Sequence, residues 1–143
     1  MDNNYIKKVL DGMKEFICIY DKNFNLLFFN KNYENILKYT YQLSSVNIGD
    51  NILELVKHIP SEVAKFKRLF KFVLEKGEHI EIETFGEGEY KKIYELSGYP
   101  IKENNENIGI SSIIRDVTER EKLKEQAKEA IRSKGLFLSS VSH

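Results

Sequence analysis

The chain has 143 residues, enough for one domain of ordinary size with an appendage. Its 22 lysines and arginines balance 22 aspartates and glutamates, which argues against the strongly basic surface of a non-specific nucleic-acid binder. A single cysteine, Cys18, rules out an internal disulfide, and no apolar run approaches the ~20 residues that span a bilayer.

In chain order, residues 4–13 place Tyr5, Val9, Leu10 and Met13 at helical spacing and predict a short amphipathic helix, closing an N-terminal segment over 1–13. Two apolar runs follow, at 16–20 and 26–29, separated by Asp21-Lys22-Asn23-Phe24-Asn25. This is a hairpin signal, with Asn25 the residue expected to turn left-handed. Cys18 sits inside the first run and reads as a buried, inert thiol. Asn30 is placed to cap a helix from Lys31 that carries Tyr33, Ile36 and Leu37. Residues 44–57 are less regular, with a Gly49-Asp50-Asn51 turn and a helical turn at 52–56. Pro60 opens the clearest helix, lined by Val63, Phe66, Phe70, Val73 and Leu74 and ended by Gly77.

Three strands are predicted next. Ile80 and Ile82 alternate with Glu81 and Glu83, which read as a solvated face rather than a carboxylate pair for acid–base work. Runs at 92–101 and 108–115 follow, with turns at Gly86-Glu87-Gly88 and Glu103-Asn104-Asn105. Two strands, then helices, then three strands in hairpins predict an antiparallel sheet with helices on one face, an α+β domain. From Thr118 the composition shifts to Glu, Lys, Arg, Ala and Leu. Thr118 and Glu121 match a capping box. Leu123, Ala127, Ala130, Lys134, Phe137 and Val141 then recur at alternating four and three, a weak heptad seam for a partner helix, and Gly135 is its soft spot.

The chain ends on Phe137-Leu138-Ser139-Ser140-Val141-Ser142-His143. At about 100° per residue, His143 lies roughly 140° from Leu138 and roughly 200° from Val141, so it points away from the seam. A phosphoacceptor histidine needs such exposure and a neutral imidazole nitrogen.

Two resemblances emerge. Residues 14–117 resemble a PAS domain: Asp21 before the second strand, Asn30 opening a helix with Tyr33, Leu37 and Tyr39, and Tyr99-Pro100-Ile101 closing the penultimate strand. Ile114-Arg115-Asp116-Val117-Thr118-Glu119-Arg120 resembles the Asp-Ile-Thr junction by which PAS domains enter a signalling coiled coil. Departures are Asn25 and Asn107 at usual turn glycines, and Lys38 before Tyr39. The final residues are similar to the start of the H-box of bacterial two-component sensor histidine kinases, which would continue with Glu, Ile or Leu, Arg, Thr and Pro. Together these imply a five-stranded PAS sheet over 14–117 and a dimeric signalling helix over 118–143. They also imply a coupling junction at Asp116, Thr118, Arg120 and Glu121, and a phosphoacceptor at His143. The expected partners are a second copy of the chain through that helix and a cognate response regulator, with no nucleic acid and no membrane contact. An intact parent would be an ATP-dependent histidine kinase; this stretch, without a nucleotide-binding domain, is expected not to autophosphorylate.

No cofactor is predicted. The Asn-Cys-Arg-Phe-Leu-Gln segment of flavin photosensors is missing, and the helix after Pro60 lacks a histidine for haem, His58 and His79 only flanking it. The three histidines show no metal-ligand spacing. A small organic ligand, a metabolite or carboxylate, remains, with Tyr90, Tyr94, Ser97, Tyr99, Ser111 and Arg115 the polar candidates to line a pocket. The polar N-terminus shows no signal peptide, so the stretch reads as cytoplasmic, a membrane anchor elsewhere in a parent being left open. The alternative is a ligand-free PAS module that dimerises a non-kinase output. A small enzyme is disfavoured, since no nucleophile–base pair or glycine-rich phosphate loop is present.

Overall fold

A continuous apolar run, Phe16-Ile17-Cys18-Ile19-Tyr20, forms an interior strand because both of its edges find partners and one of its faces is covered. The computed structural model describes residues 3–141, with side chains described for residues 4–136. Its elements are α1 (Asn3–Asp11), β1 (Phe16–Asp21), β2 (Leu26–Phe29), α2 (Lys31–Tyr41), α3 (Ile52–Leu55), α4 (Pro60–Lys76), β3 (His79–Phe85), β4 (Lys92–Glu103), β5 (Glu106–Asp116) and α5 (Thr118–Val141). The strands form one five-stranded sheet in the order β2-β1-β5-β4-β3. The expected α+β architecture is thus observed. Among the described residues, no helix is long and apolar enough to cross a membrane.

The chain divides into two units. The first runs up to Glu81 and includes Glu95–Arg115. Its core joins Cys18 and Tyr20 of β1 and Ile110 of β5 to Tyr33 and Leu37 of α2 and Phe70 of α4. Cys18 pairs with Ser112 across the β1–β5 ladder and Tyr20 with Ile110, so these residues share one sheet face. Phe70 meets Tyr20 edge-on at 5.3 Å and stacks on Phe24 at 4.5 Å, contacts worth about 1 kcal/mol each beyond their burial. Gly109 has no side chain because a Cβ there would lie 2.4 Å from the Tyr20 carbonyl oxygen.

Asn30 caps α2 as expected, its Oδ1 accepting from the Tyr33 amide at 3.1 Å. The hairpin turn differs from expectation: Phe24, not Asn25, is left-handed, with φ of 71°. The cause is Asp21, whose carboxylate accepts from both the backbone and side-chain amides of Asn25 at 2.9 and 3.1 Å and holds that residue extended. The Asn104-Asn105 loop takes positive φ at both positions (52° and 66°), the two-residue turn that lets β4 and β5 run on to Glu103 and from Glu106.

The solvated face assigned to Glu81 and Glu83 is corrected. Ile80 and Ile82 are 53% and 48% exposed, whereas Glu81 is half-buried against Arg68 of α4. A bidentate ion pair, at 2.9 and 3.2 Å, turns the carboxylate toward the helix and the isoleucines outward.

The second unit comprises Ile82–Tyr94 and the chain from Asp116 onward. Among the described residues, its buried ones are Ile93, Val117 and Thr118. The Val117 amide donates to the Ile93 carbonyl at 2.8 Å. Beyond Thr118, every described side chain of α5 up to residue 136 is exposed or only partly covered.

Candidate functional site

The predicted junction residues meet in the second unit. The Asp116 Oδ1 accepts from the Thr118 backbone amide at 3.0 Å and from the Thr118 hydroxyl at 2.5 Å. The Thr118 oxygen in turn accepts from the Ile93 amide at 2.9 Å. These bonds tie the first turn of α5 to the start of β4. The Thr118 hydroxyl holds the Asp116 carboxyl below the usual carboxylate range, with smaller help from the Thr118 amide and from Lys92, whose ammonium is 3.7 Å away.

The capping box is therefore corrected. Thr118 spends its acceptor on β4, and Asp116 takes the amide that Glu121 was expected to reach. The Glu121 amide donates to the Val117 carbonyl at 2.9 Å. Its carboxylate accepts from Arg120 at 2.9 and 3.2 Å, a contact that lowers its pKa, with Lys124 at 3.5 Å. Of the four junction residues, buried Thr118 and exposed Asp116 form one clasp, and Arg120 and Glu121 a separate exposed ion pair. His143 lies outside the described residues.

A second candidate lies in the first unit, a cavity of about 70 Å³ between the sheet and α2 and α4. Phe66, Phe70 and Val73 of α4 form its apolar roof, and Leu96 and Gly98 of β4 face them. A Cβ at Gly98 would stand 2.7 Å from Val73 Cγ2, so the bare glycine is what seats α4 this close to β4. Its polar groups are Cys18, Tyr20, Tyr33 and Ser112, with His79 also in the wall. The Tyr20 and Tyr33 hydroxyls are 2.5 Å apart. Cys18 shares this wall with Tyr33 and with Ser112, its partner across the ladder. Burial pushes the Cys18 thiol up to about 12 against partial relief from the Tyr33 and Ser112 hydroxyls, and pushes both tyrosines well above their ordinary value. All three stay uncharged near neutrality.

His79 stacks on Phe72 at 5.0 Å, and its Nε2 lies 3.1 Å from Glu81. Arg68, then His79, hold the Glu81 carboxyl down at about 2 against its desolvation.

None of the six predicted pocket candidates lines this cavity. Ser97 and Tyr99 flank Gly98, and Ser111 flanks Ser112, one register position away on the opposite sheet face. Arg115 reaches Glu95 instead, Tyr94 meets Phe85 edge-on, and Tyr90 is exposed. The quartet that does line it was not singled out. The signal for it is parity: Cys18 and Tyr20 share a face of β1, as Ile110, Ser112 and Ile114 do of β5. Among the described residues, no group of three His, Cys, Asp or Glu side chains could hold a metal ion.

No protein-family model and no curated protein sequence matches the chain. Solved structures do. The PAS domain of BvgS from Bordetella pertussis superposes with a TM-score of 0.60 at 19% identity, over 91% of this chain and 96% of that one. A sensory box sensor histidine kinase from Vibrio cholerae gives 0.57 at 19% identity, over 80% and 90%. The VqmA dimer of Vibrio cholerae, a LuxR-type receptor, gives 0.59 at 15% identity, over 84% of this chain and 53% of that one. The chain therefore has the PAS fold.

Proposed function

We propose that this chain is the sensory input module of a two-component histidine kinase. In this reading the cavity binds a small ligand and the Asp116–Thr118 clasp couples its occupancy to α5. A dimeric α5 then carries the signal to His143. The observation that supports it is that one strand serves both places: Ile110, Ser112 and Ile114 of β5 line the cavity, and Asp116 ends the same strand at the clasp. In the intact kinase an imidazole nitrogen of His143 would attack the γ-phosphate of ATP, ADP would leave, and the phosphoryl group would pass to an aspartate of a response regulator. A ligand changes that output only by binding two states of the module unequally.

The second reading, a PAS module joined to a different output, draws on the likeness to VqmA, a receptor solved with ligand and DNA. The fold is shared by both kinds of protein. Sequencing the parent gene past codon 143 separates them, and the kinase reading expects Glu, Ile or Leu, Arg, Thr, Pro and then a nucleotide-binding domain. In that longer protein, His143→Gln should abolish acid-labile, base-stable phosphorylation from labelled ATP. Undiminished labelling, or an unrelated domain after His143, would sink the kinase reading.

A further inference from the structure

The cavity's polar wall has an imbalance. Tyr20, Tyr33, Cys18 and Ser112 form a row of four X–H groups: the Tyr20 and Tyr33 hydroxyls are 2.5 Å apart, and Cys18 stands in the same wall with its ladder partner Ser112. Even with every neighbour in the row linked, each link consumes one hydrogen, so one O–H or S–H is always left over. Among the described residues these side chains make no other hydrogen bond. The remaining donor therefore sits in an otherwise apolar chamber, where leaving it unmet is costly.

The chamber also lacks charge. Among the described residues no lysine, arginine, aspartate or glutamate lines it, and His79 in its wall has its Nε2 against Glu81. An entering carboxylate would exchange its hydration for neutral hydroxyls, and an ammonium would find no anion in the wall. The volume, about 70 Å³, is roughly half that of an engineered cavity of ~150 Å³ that admits benzene.

We propose that this cavity selects a small uncharged molecule, smaller than benzene, with a carbonyl, hydroxyl or ether oxygen toward the Tyr20–Tyr33–Cys18–Ser112 chain and an apolar remainder under α4. The inference rests on the sensory reading only in taking the cavity as the ligand site. It narrows the metabolite-or-carboxylate expectation to the neutral class.

The test titrates the full chain, ¹⁵N-labelled, with propionamide, propionate and propylammonium through the millimolar range, following backbone amides. Propionamide should give saturable shifts at Cys18, Tyr33 and Ser112, with intermolecular NOEs to the Tyr33 ring and the Val73 methyls locating it without any variant. Propionate and propylammonium should bind at least about tenfold more weakly. Ser112→Val, which fills the chamber, should erase the shifts while a dispersed spectrum confirms folding. Propionate binding as tightly as propionamide, or no saturable shift with any probe, would overturn the proposal. A longer protein whose His143 phosphorylation ignores a bound neutral probe would instead refute the sensory reading and leave the chemical class standing.

Discussion

Asn30 is fully buried and has no unspent hydrogen-bonding capacity to speak of. Its Oδ1 accepts from the Ile17 and Tyr33 amides at 3.0 and 3.1 Å, and its Nδ2 donates to the Leu10 and Glu15 carbonyls at 2.9 Å each. One side chain therefore fixes the end of α1, the entry to β1 and the start of α2. Asn30→Ala removes a cap and strands buried backbone groups, a loss of about 3 kcal/mol on urea unfolding. Only the cap was legible in the sequence, because it spans three residues; the other three bonds join positions 13 to 20 apart, where no local pattern reaches. Glu81 makes a different residue-scale prediction. Arg68 and His79 hold its folded pKa at about 2, below the ordinary 4.5. A depressed carboxyl contributes stability that is complete above the unfolded value and is lost as pH falls from about 4.5 to about 2. Between about pH 6 and about pH 3, the wild-type chain should lose more unfolding free energy than Arg68→Ala, in which the larger, Arg68 part of that contribution is already gone and only that of His79 is left. Equal acid losses in the two would show that the ion pair contributes nothing.

Among the elements, the sheet shows which signals a strand can carry. The run of residues 16–20 is apolar at every position, so alternation within it is silent about which face meets the helices. The pairing of Cys18 with Ser112 supplies the missing parity, and that pairing joins residues 94 positions apart. Ser97 and Tyr99 on β4 and Ser111 and Arg115 on β5 failed by one register step, whereas Tyr94, of the same parity as Leu96 and Gly98, lies further along β4 against Phe85. In β3 the alternation was visible and its sign was wrong, since an isoleucine was expected to be the inward residue and Arg68 drew Glu81 there instead. The helices were more legible: Pro60 and Gly77 bracket α4 as expected, with Gly77 at φ of 90°. Register itself can be tested at Gly109. Gly109→Ala would set a Cβ 2.4 Å from the Tyr20 carbonyl oxygen, backbone against backbone across the β1–β5 ladder. The strands must part to admit it, at a cost of about 2 kcal/mol. Amide shifts should concentrate at Tyr20 and Asp21, and an undisturbed β1 would mean that the ladder is looser than its geometry.

On the scale of the whole molecule, the stability of the two units rests on different things. The first has a buried core, with Leu26, Ile52 and Val56 wholly covered. The second buries Ile93, Val117 and Thr118, and then extends into a helix of 24 residues whose Leu123, Ile131 and Leu136 are exposed. A helix gains little from propensity alone and is held mostly by the burial of an apolar face. If α5 dimerises as proposed, its protection must depend on protein concentration while that of β1 does not. We expect the full chain to shift from monomer to dimer in sedimentation velocity as concentration rises, with amide exchange slowing along residues 123–136 in step. A chain ending at residue 121, which keeps the Asp116–Thr118 clasp, should stay monomeric and retain the core protection of β1 and β5. Protection of α5 that is unchanged by dilution would instead make it a self-sufficient helix. A truncated chain that still dimerises would move the interface off α5, and with it the proposed route to His143.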